Sequence, residues 1–175
     1  SRAAQPSWHN APVESAGPIG ARLLIAGLAR GMKGANRTGR PFTGDFAGDL
    51  LFPTLVKYGF AEGTYGRAAD DGLKIKDCRI TNAVRCVPPH NKPVGAEVLA
   101  CRPFLISEIG AMTKLRVILA LGGIAHQAVL RTLGHKVSAH KFAHRARFAL
   151  SDSLLLIDSY HCSRLNTNTG RLPEA

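Results

Sequence analysis

No apolar run in this chain approaches the roughly 20 residues that a bilayer-spanning helix needs. Apolar stretches such as those at 115–121 and 154–157 are only strand-sized. Acidic residues are scarce: 12 Asp and Glu stand against 23 Lys and Arg, giving a net charge of +11 and a pI near 10.1. That imbalance favours a polyanionic partner, nucleic acid before a membrane surface. A merely solubilising surface is the plain alternative. Cysteine is also sparse, with Cys78, Cys86, Cys101 and Cys162 and none before residue 78. A domain of 175 residues does not need disulfides to hold it, so burial or metal ligation explains these thiols better. The first residues lack the basic, apolar, small-residue order of a secretory signal. A cytoplasmic location is therefore expected.

With 45% hydrophobic content over 175 residues, the chain can build one core but not two ordinary ones. We expect a single domain over 1–175. Residues 1–20, rich in Pro, Ser, Ala and Gly, lack periodicity and read as an irregular arm that Trp8 could anchor. From residue 21, ARLLIAGLA predicts a buried strand, and 46–58 predicts a helix with Leu50, Leu51, Leu55 and Val56 on one face. Residues 59–72 read as a polar, glycine-bearing loop and CRITNAV (78–84) as a second strand, ended by a proline-rich turn at 87–93. A helix over 97–112, a strand from Leu115, a helix over 124–133 and two shorter strands at 147–150 and 154–158 follow. Strands alternating with helices imply an α/β fold, a three-layer αβα sandwich around a short, mostly parallel sheet.

Two segments carry far more glycine, hydroxyl, amide and arginine than a turn requires: GLARGMKGANRTGRPFTGD (27–45) and SYHCSRLNTNTGRL (159–172). Each follows a predicted strand, where open α/β sheets place their ligand crevices. The glycines at 27, 31 and 34 match neither GxGxxG nor GxxxxGK[ST], which argues against a nucleotide cradle. Phe42 instead stands alone among Asn36, Arg37, Thr38, Arg40, Thr43 and Asp45. A ring in such company suits a planar heterocycle that stacks on it while polar atoms read its edge. A core phenylalanine is the simpler reading. Asp45 also stands where a helix N-cap would. His161 could donate to an oxygen gaining negative charge. The arginines, asparagines and threonines after it, with Leu165 and Leu172, supply phosphate contacts plus an apolar wedge for a nucleic-acid groove.

These segments resemble the motifs of the uracil-DNA glycosylase superfamily, most closely its type b or fifth-family branch, whose first motif reads GLAPxxxGxNRTGRxFTGD and whose last reads HxSRxNTxTGRL. The similarity extends from about residue 21 to 172 through TNAVRCVPPHNKP, ALGGIA and SAHKFAH. The resemblance implies hydrolysis of the N-glycosidic bond of uracil in double-stranded DNA by a monomer that flips the base out and leaves an abasic site. It makes Asp45 the group that handles water or the sugar cation, His161 the donor to the departing base and Phe42 the stacking ring. Backbone amides at Gly27, Leu28 and Ala29 would meet the base. Asn36, Arg37, Ser163, Arg164, Asn166, Thr167 and Arg171 would contact DNA, with Leu165 inserted into the duplex.

Three departures from the pattern bear on function. Asn82 occupies a position where the type b branch is expected to carry a small apolar residue. An amide there would pair with O4 and N3–H of uracil and reject cytosine, unless it merely caps a strand end. Arg30 and Lys33 replace an expected proline and histidine. Members of types a and b hold a four-iron, four-sulfur cluster through an N-terminal CxxC pair and two later cysteines. Cys86 and Cys101 match the later pair, but this sequence supplies no first pair, so no cofactor is expected. A zinc site at His135, His140 and His144 lacks a cysteine or acidic fourth ligand. The alternative to the enzyme is a non-catalytic or slowly turning-over binder of uracil-containing or abasic DNA.

Overall fold

A seven-residue run as apolar as LLIAGLA needs strands on both edges and cover on both faces. In the computed structural model, which describes residues 5–29, 31, 34–85 and 93–172, this run is β1 (Leu23–Ala29). In chain order follow α1 (Ala35–Thr38), α2 (Phe46–Lys57), β2 (Ala61–Glu62), β3 (Lys74–Ile75), β4 (Cys78–Val84) and α3 (Gly95–Ala111). Then come β5 (Val117–Leu121), α4 (Gly123–Thr132), β6 (Arg147–Ser151), β7 (Leu154–Ser159) and α5 (Arg164–Asn168).

Five strands form the sheet in the order β4-β1-β5-β7-β6. The first four run parallel and β6 returns antiparallel at the edge, with a register shift between Ala149 and Ser151. Alternation along β1 assigns the two faces. Ile25 joins Ile80, Leu121, Phe52 and Leu55 in a core under α2. Leu24 and Ala26 join Ile118, Leu156, Val129 and Leu130 under α4. Ala83 and Val84 meet Val98 of α3. This is the expected three-layer αβα sandwich. After β1 the chain crosses to β4 on one side, and after β4 it returns past β1 to β5 on the other. Connections diverging from a central strand leave a crevice at the carboxyl ends of the strands.

Details depart from the sequence reading for identifiable reasons. The stripe of α2 that faces the sheet is Ala47, Gly48, Leu51, Phe52 and Leu55. Val56 falls outside this stripe and is 36% exposed, while Phe52, the largest member of the stripe, is fully buried. The polar segment after α2 contains β2, which pairs with β3. The arm at residues 5–20 is held by Val13, which is buried, and by Ala16, bridged to Ile80. Trp8 is only half-buried. Helix α3 is tied to β4 by Glu108, which is buried and accepts from Arg79 Nε at 2.6 Å and Arg85 at 3.2 Å.

Ile118 lies at the centre of this core with no exposed surface. Ile118→Ala is expected to lower the free energy of urea unfolding by about 2–5 kcal/mol. Leu99→Ala on the exposed side of α3 should change it by about 0.5 kcal/mol or less.

Candidate active site

The loops that leave β1 and β7 meet over the end of the sheet and enclose a cavity of about 170 Å³. Its wall is Leu28, Ala29, Gly31, Phe42, Asp45, Ala47, Asn82 and His161. The space is well below the roughly 300–1,000 Å³ of pockets for drug-sized ligands, so it suits one small ring. Four residues that the sequence singled out for base contact or chemistry, Phe42, Asp45, Asn82 and His161, are thus brought together with Leu28 and Ala29. Gly27 forms the floor: a β-carbon there would stand 2.3 Å from Phe42 Cζ and 2.5 Å from Asn82 Oδ1. Glycine is required because ring and amide both lie against bare backbone.

Asp45 has extended backbone and caps α2. Its Oδ1 accepts from the amides of Ala47 at 3.1 Å and Gly48 at 3.3 Å. The other oxygen lies over Gly31 and Gly34, where added β-carbons would stand 3.2 Å and 2.5 Å away. The helix therefore fixes one oxygen and leaves the other beside the cavity.

His161 follows β7 across from this carboxylate. Its ring centroid is 5.8 Å from that of Phe42, tilted by 32°. Burial lowers the His161 pKa, against an opposing pull from the Asp45 charge. The imidazole is consequently neutral near pH 7 and retains one N–H to donate.

Asn82 lies within β4 opposite Gly27, so it is no strand-end cap. It is 7% exposed, and its Oδ1 is buried without a hydrogen-bond partner. An unpaired buried acceptor costs about 1–3 kcal/mol. At a cavity wall that cost is recovered when a ligand N–H arrives.

The final segment is a short helix, α5, where the sequence suggested a loop. Leu165 projects with 68% exposure. Arg164 is exposed and stacks over the Phe46 ring at 5.2 Å. Arg171 is exposed as well. Asn166 and Thr167 bond inward, Asn166 Nδ2 donating to the His161 carbonyl at 2.8 Å and Thr167 Oγ1 to the Arg164 carbonyl at 3.0 Å. Ser163 is the half-buried N-cap position of α5. Asn36 is buried and donates to Asn10 Oδ1 at 3.1 Å, which joins the arm to the first motif, while Arg37 is exposed beside it. Arg40 and Thr43 are buried and bonded to each other at 2.7 Å. Sequence reasoning missed Gly31, Ala47 and Phe46. Only their placement beside Asp45 and its helix marks them.

The described cysteines are spread over both faces of the sheet. Cys78 and Cys162 belong to the core under α2, whereas Cys101 packs on the opposite face beside Ala83 and Val84. Burial pushes the Cys78 and Cys162 thiols up to about 12, so neither supplies a thiolate readily. Cys86 lies outside the described residues, as do Arg30 and Lys33. Among the described residues no three His, Cys, Asp or Glu side chains are grouped to hold a metal ion. The described cysteines do not fit a four-thiolate cluster. His140 bonds the Lys136 carbonyl, its ring edge-on to that of His135, and His144 stacks on Tyr160. No described helix is long and apolar enough to cross a membrane.

A mostly parallel αβα sandwich thus brings a carboxylate, an imidazole and an aromatic ring around one small cavity. Residues 14–175 match the uracil DNA glycosylase superfamily. A type-5 uracil-DNA glycosylase of Thermus thermophilus is 45% identical over 168 residues, 96% of this chain and 76% of that protein. One from Mycobacterium leprae is 44% identical over 98% of this chain and 75% of its own length. A type-4 uracil-DNA glycosylase of Pyrobaculum aerophilum is 38% identical over 115 residues, 65% of this chain and 50% of that protein. The chain belongs to the uracil-DNA glycosylase superfamily.

Two outcomes check this geometry. Asp45→Ala removes the cap of α2 and should cost about 0.5–2 kcal/mol, whereas Asp45→Asn, an equally good cap, should be near neutral in thermal melting. Below about pH 6.5 the unfolded chain takes up the His161 proton before the folded protein does. Stability should therefore decline on acidification, and His161→Gln should remove that share of the decline.

Proposed function

We propose that the protein is a monofunctional uracil-DNA glycosylase that acts in the cytoplasm as a monomer and a single domain, on uracil in double-stranded DNA, without a cofactor. The observation that carries this reading is the shared cavity, in which Asp45, His161, Phe42 and the unpaired Asn82 carbonyl surround a space for one ring. A base stacked in a duplex cannot reach such a cavity, so the nucleotide must turn out of the helix at a cost of a few kcal/mol. Leu165, exposed at the rim, supplies the apolar group that fills the gap. Arg164 and Arg171 face the phosphates, in keeping with the +11 charge. Asn36, Arg37, Ser163, Asn166 and Thr167 shape the surface that carries these contacts.

Within the cavity uracil stacks on Phe42, and its N3–H donates to Asn82 Oδ1 while O4 accepts from Asn82 Nδ2. Cytosine presents an acceptor at N3 and a donor at its amine, so it leaves both amide groups mismatched. The C1′–N1 bond breaks and its electron pair leaves with uracil. Neutral His161 donates to O2, where that charge accumulates. The Asp45 carboxylate faces the cationic sugar, and water adds its oxygen to C1′ as its proton passes to Asp45 or solvent.

The test is single-turnover incubation with a uracil-containing duplex, followed by alkali to cleave abasic sites. Strand cleavage is expected, and retained DNA binding without cleavage would establish the binder instead. Asp45→Asn should abolish cleavage while retaining DNA affinity. His161→Ala should slow cleavage by about 10²–10³-fold. Asn82→Ala should lower uracil excision by about 10- to 100-fold and weaken the rejection of cytosine. Stoichiometric iron and an iron–sulfur absorbance band in purified protein would overturn the cofactor-free reading.

A further inference from the structure

Phe42 and Asp45 sit in one turn, and the groups that hold this turn come partly from outside both glycine-rich segments. Phe42 has φ of 56°, a left-handed conformation that a bulky residue keeps only where its surroundings over-determine it. Tyr65, in the polar segment after β2, supplies one constraint. Its hydroxyl accepts from the Gly44 amide at 3.0 Å and reaches the Phe42 carbonyl at 3.5 Å. One phenol oxygen thus ties together the residue that stacks and the residue preceding the carboxylate. Burial raises the Tyr65 pKa, so the hydroxyl stays protonated and can donate as well as accept.

The phenol is itself held in place. Its ring stacks on Phe52, with centroids 4.7 Å apart. The Arg40 guanidinium lies over both rings, at 4.8 Å from Phe52 and 5.8 Å from Tyr65. Arg40 makes a two-bond pair with Asp71, at 2.9 and 2.7 Å, and its Nε donates to Thr43 Oγ1 at 2.7 Å. Asp71 also accepts from the amides of Gly66 and Leu73. The side chains of the ion pair are 9% and 4% exposed. The Arg40 hydrogen bonds hold the Asp71 carboxyl at a pKa of about 2, so the pair is intact throughout the working range. Neither Tyr65 nor Asp71 lines the cavity.

We propose that Tyr65, braced by the Arg40–Asp71 pair, is a positioning residue for the glycosylase reaction, fixing the turn at 42–45 so that the stacking ring and the carboxylate address the same flipped nucleoside. This rests on the glycosylase reading above. Its role is on the bond-breaking step rather than on DNA capture, because the clamp acts on Phe42 and Asp45 and not on Leu165, Arg164 or Arg171. A displacement of about 1 Å at reacting groups costs up to roughly 100-fold in rate.

Tyr65→Phe removes one oxygen and keeps the ring stack, so it tests the clamp with little disturbance of the fold. Single-turnover excision is expected to slow by about 10- to 100-fold. Affinity for the uracil duplex and the melting midpoint should stay close to wild type, and hydrogen exchange at the Gly44 amide should accelerate in the free protein. Excision within about twofold of wild type would overturn the proposal. So would unchanged exchange at 42–45, or a loss of rate matched by an equal loss of DNA affinity. Failure of the wild-type protein to excise uracil at all would remove the glycosylase reading itself, whereas wild-type excision beside an unimpaired Tyr65→Phe removes only the positioning role.

Discussion

A β-carbon missing from one residue in the middle of the sheet lets the site exist. Gly27 lies in β1, an internal strand, with Asn82 beside it on β4, and the Phe42 ring is pressed onto its backbone. Any side chain there would lift the ring and push the amide aside, closing the space in which a base would lie. The strand cannot yield, since its neighbours Leu24, Ile25 and Ala26 are fully buried on both faces. A rigid floor and a ring pressed against it therefore come from the same packing that makes the core.

From that floor the chemistry divides between two segments far apart in sequence. Asp45 uses one carboxylate oxygen to start α2 and presents the other beside the cavity, so the helix that covers the sheet also orients this carboxylate. His161 arrives on β7, two strands from β1, and burial keeps its imidazole neutral. A carboxylate on one side and a neutral donor on the other suit the cationic sugar and anionic leaving base of the proposed reaction. The Asn166 side chain, bonded to the His161 carbonyl, couples the imidazole to the short helix that displays Leu165.

Two locally unfavourable features meet at this site. The left-handed Phe42 and the unpaired Asn82 carbonyl are unfavourable in isolation, and each is held by well-packed surroundings. Such features persist at functional sites because the rest of the fold over-determines them. The arm joins the same system through Asn10 and Asn36, which explains why an irregular segment lies so close to the first motif.

The sequence alone determined the alternation of strands and helices, the capping role of Asp45 and the grouping of glycine, amide and arginine into two segments. Apolar period, cap chemistry and loop composition are local properties, legible over a dozen residues. Its motifs also resembled one family, and residues 14–175 match that family. What it left open were contacts between distant residues. Whether Asn82 caps a strand or faces a cavity depends on the register of β4 against β1. The fate of Arg40, drawn into a buried pair with Asp71, depends on a loop 31 residues further on. Only the closing of the sheet decided that Asp45 and His161 share one cavity, because the sequence records what each group can do and packing alone sets the distance between them.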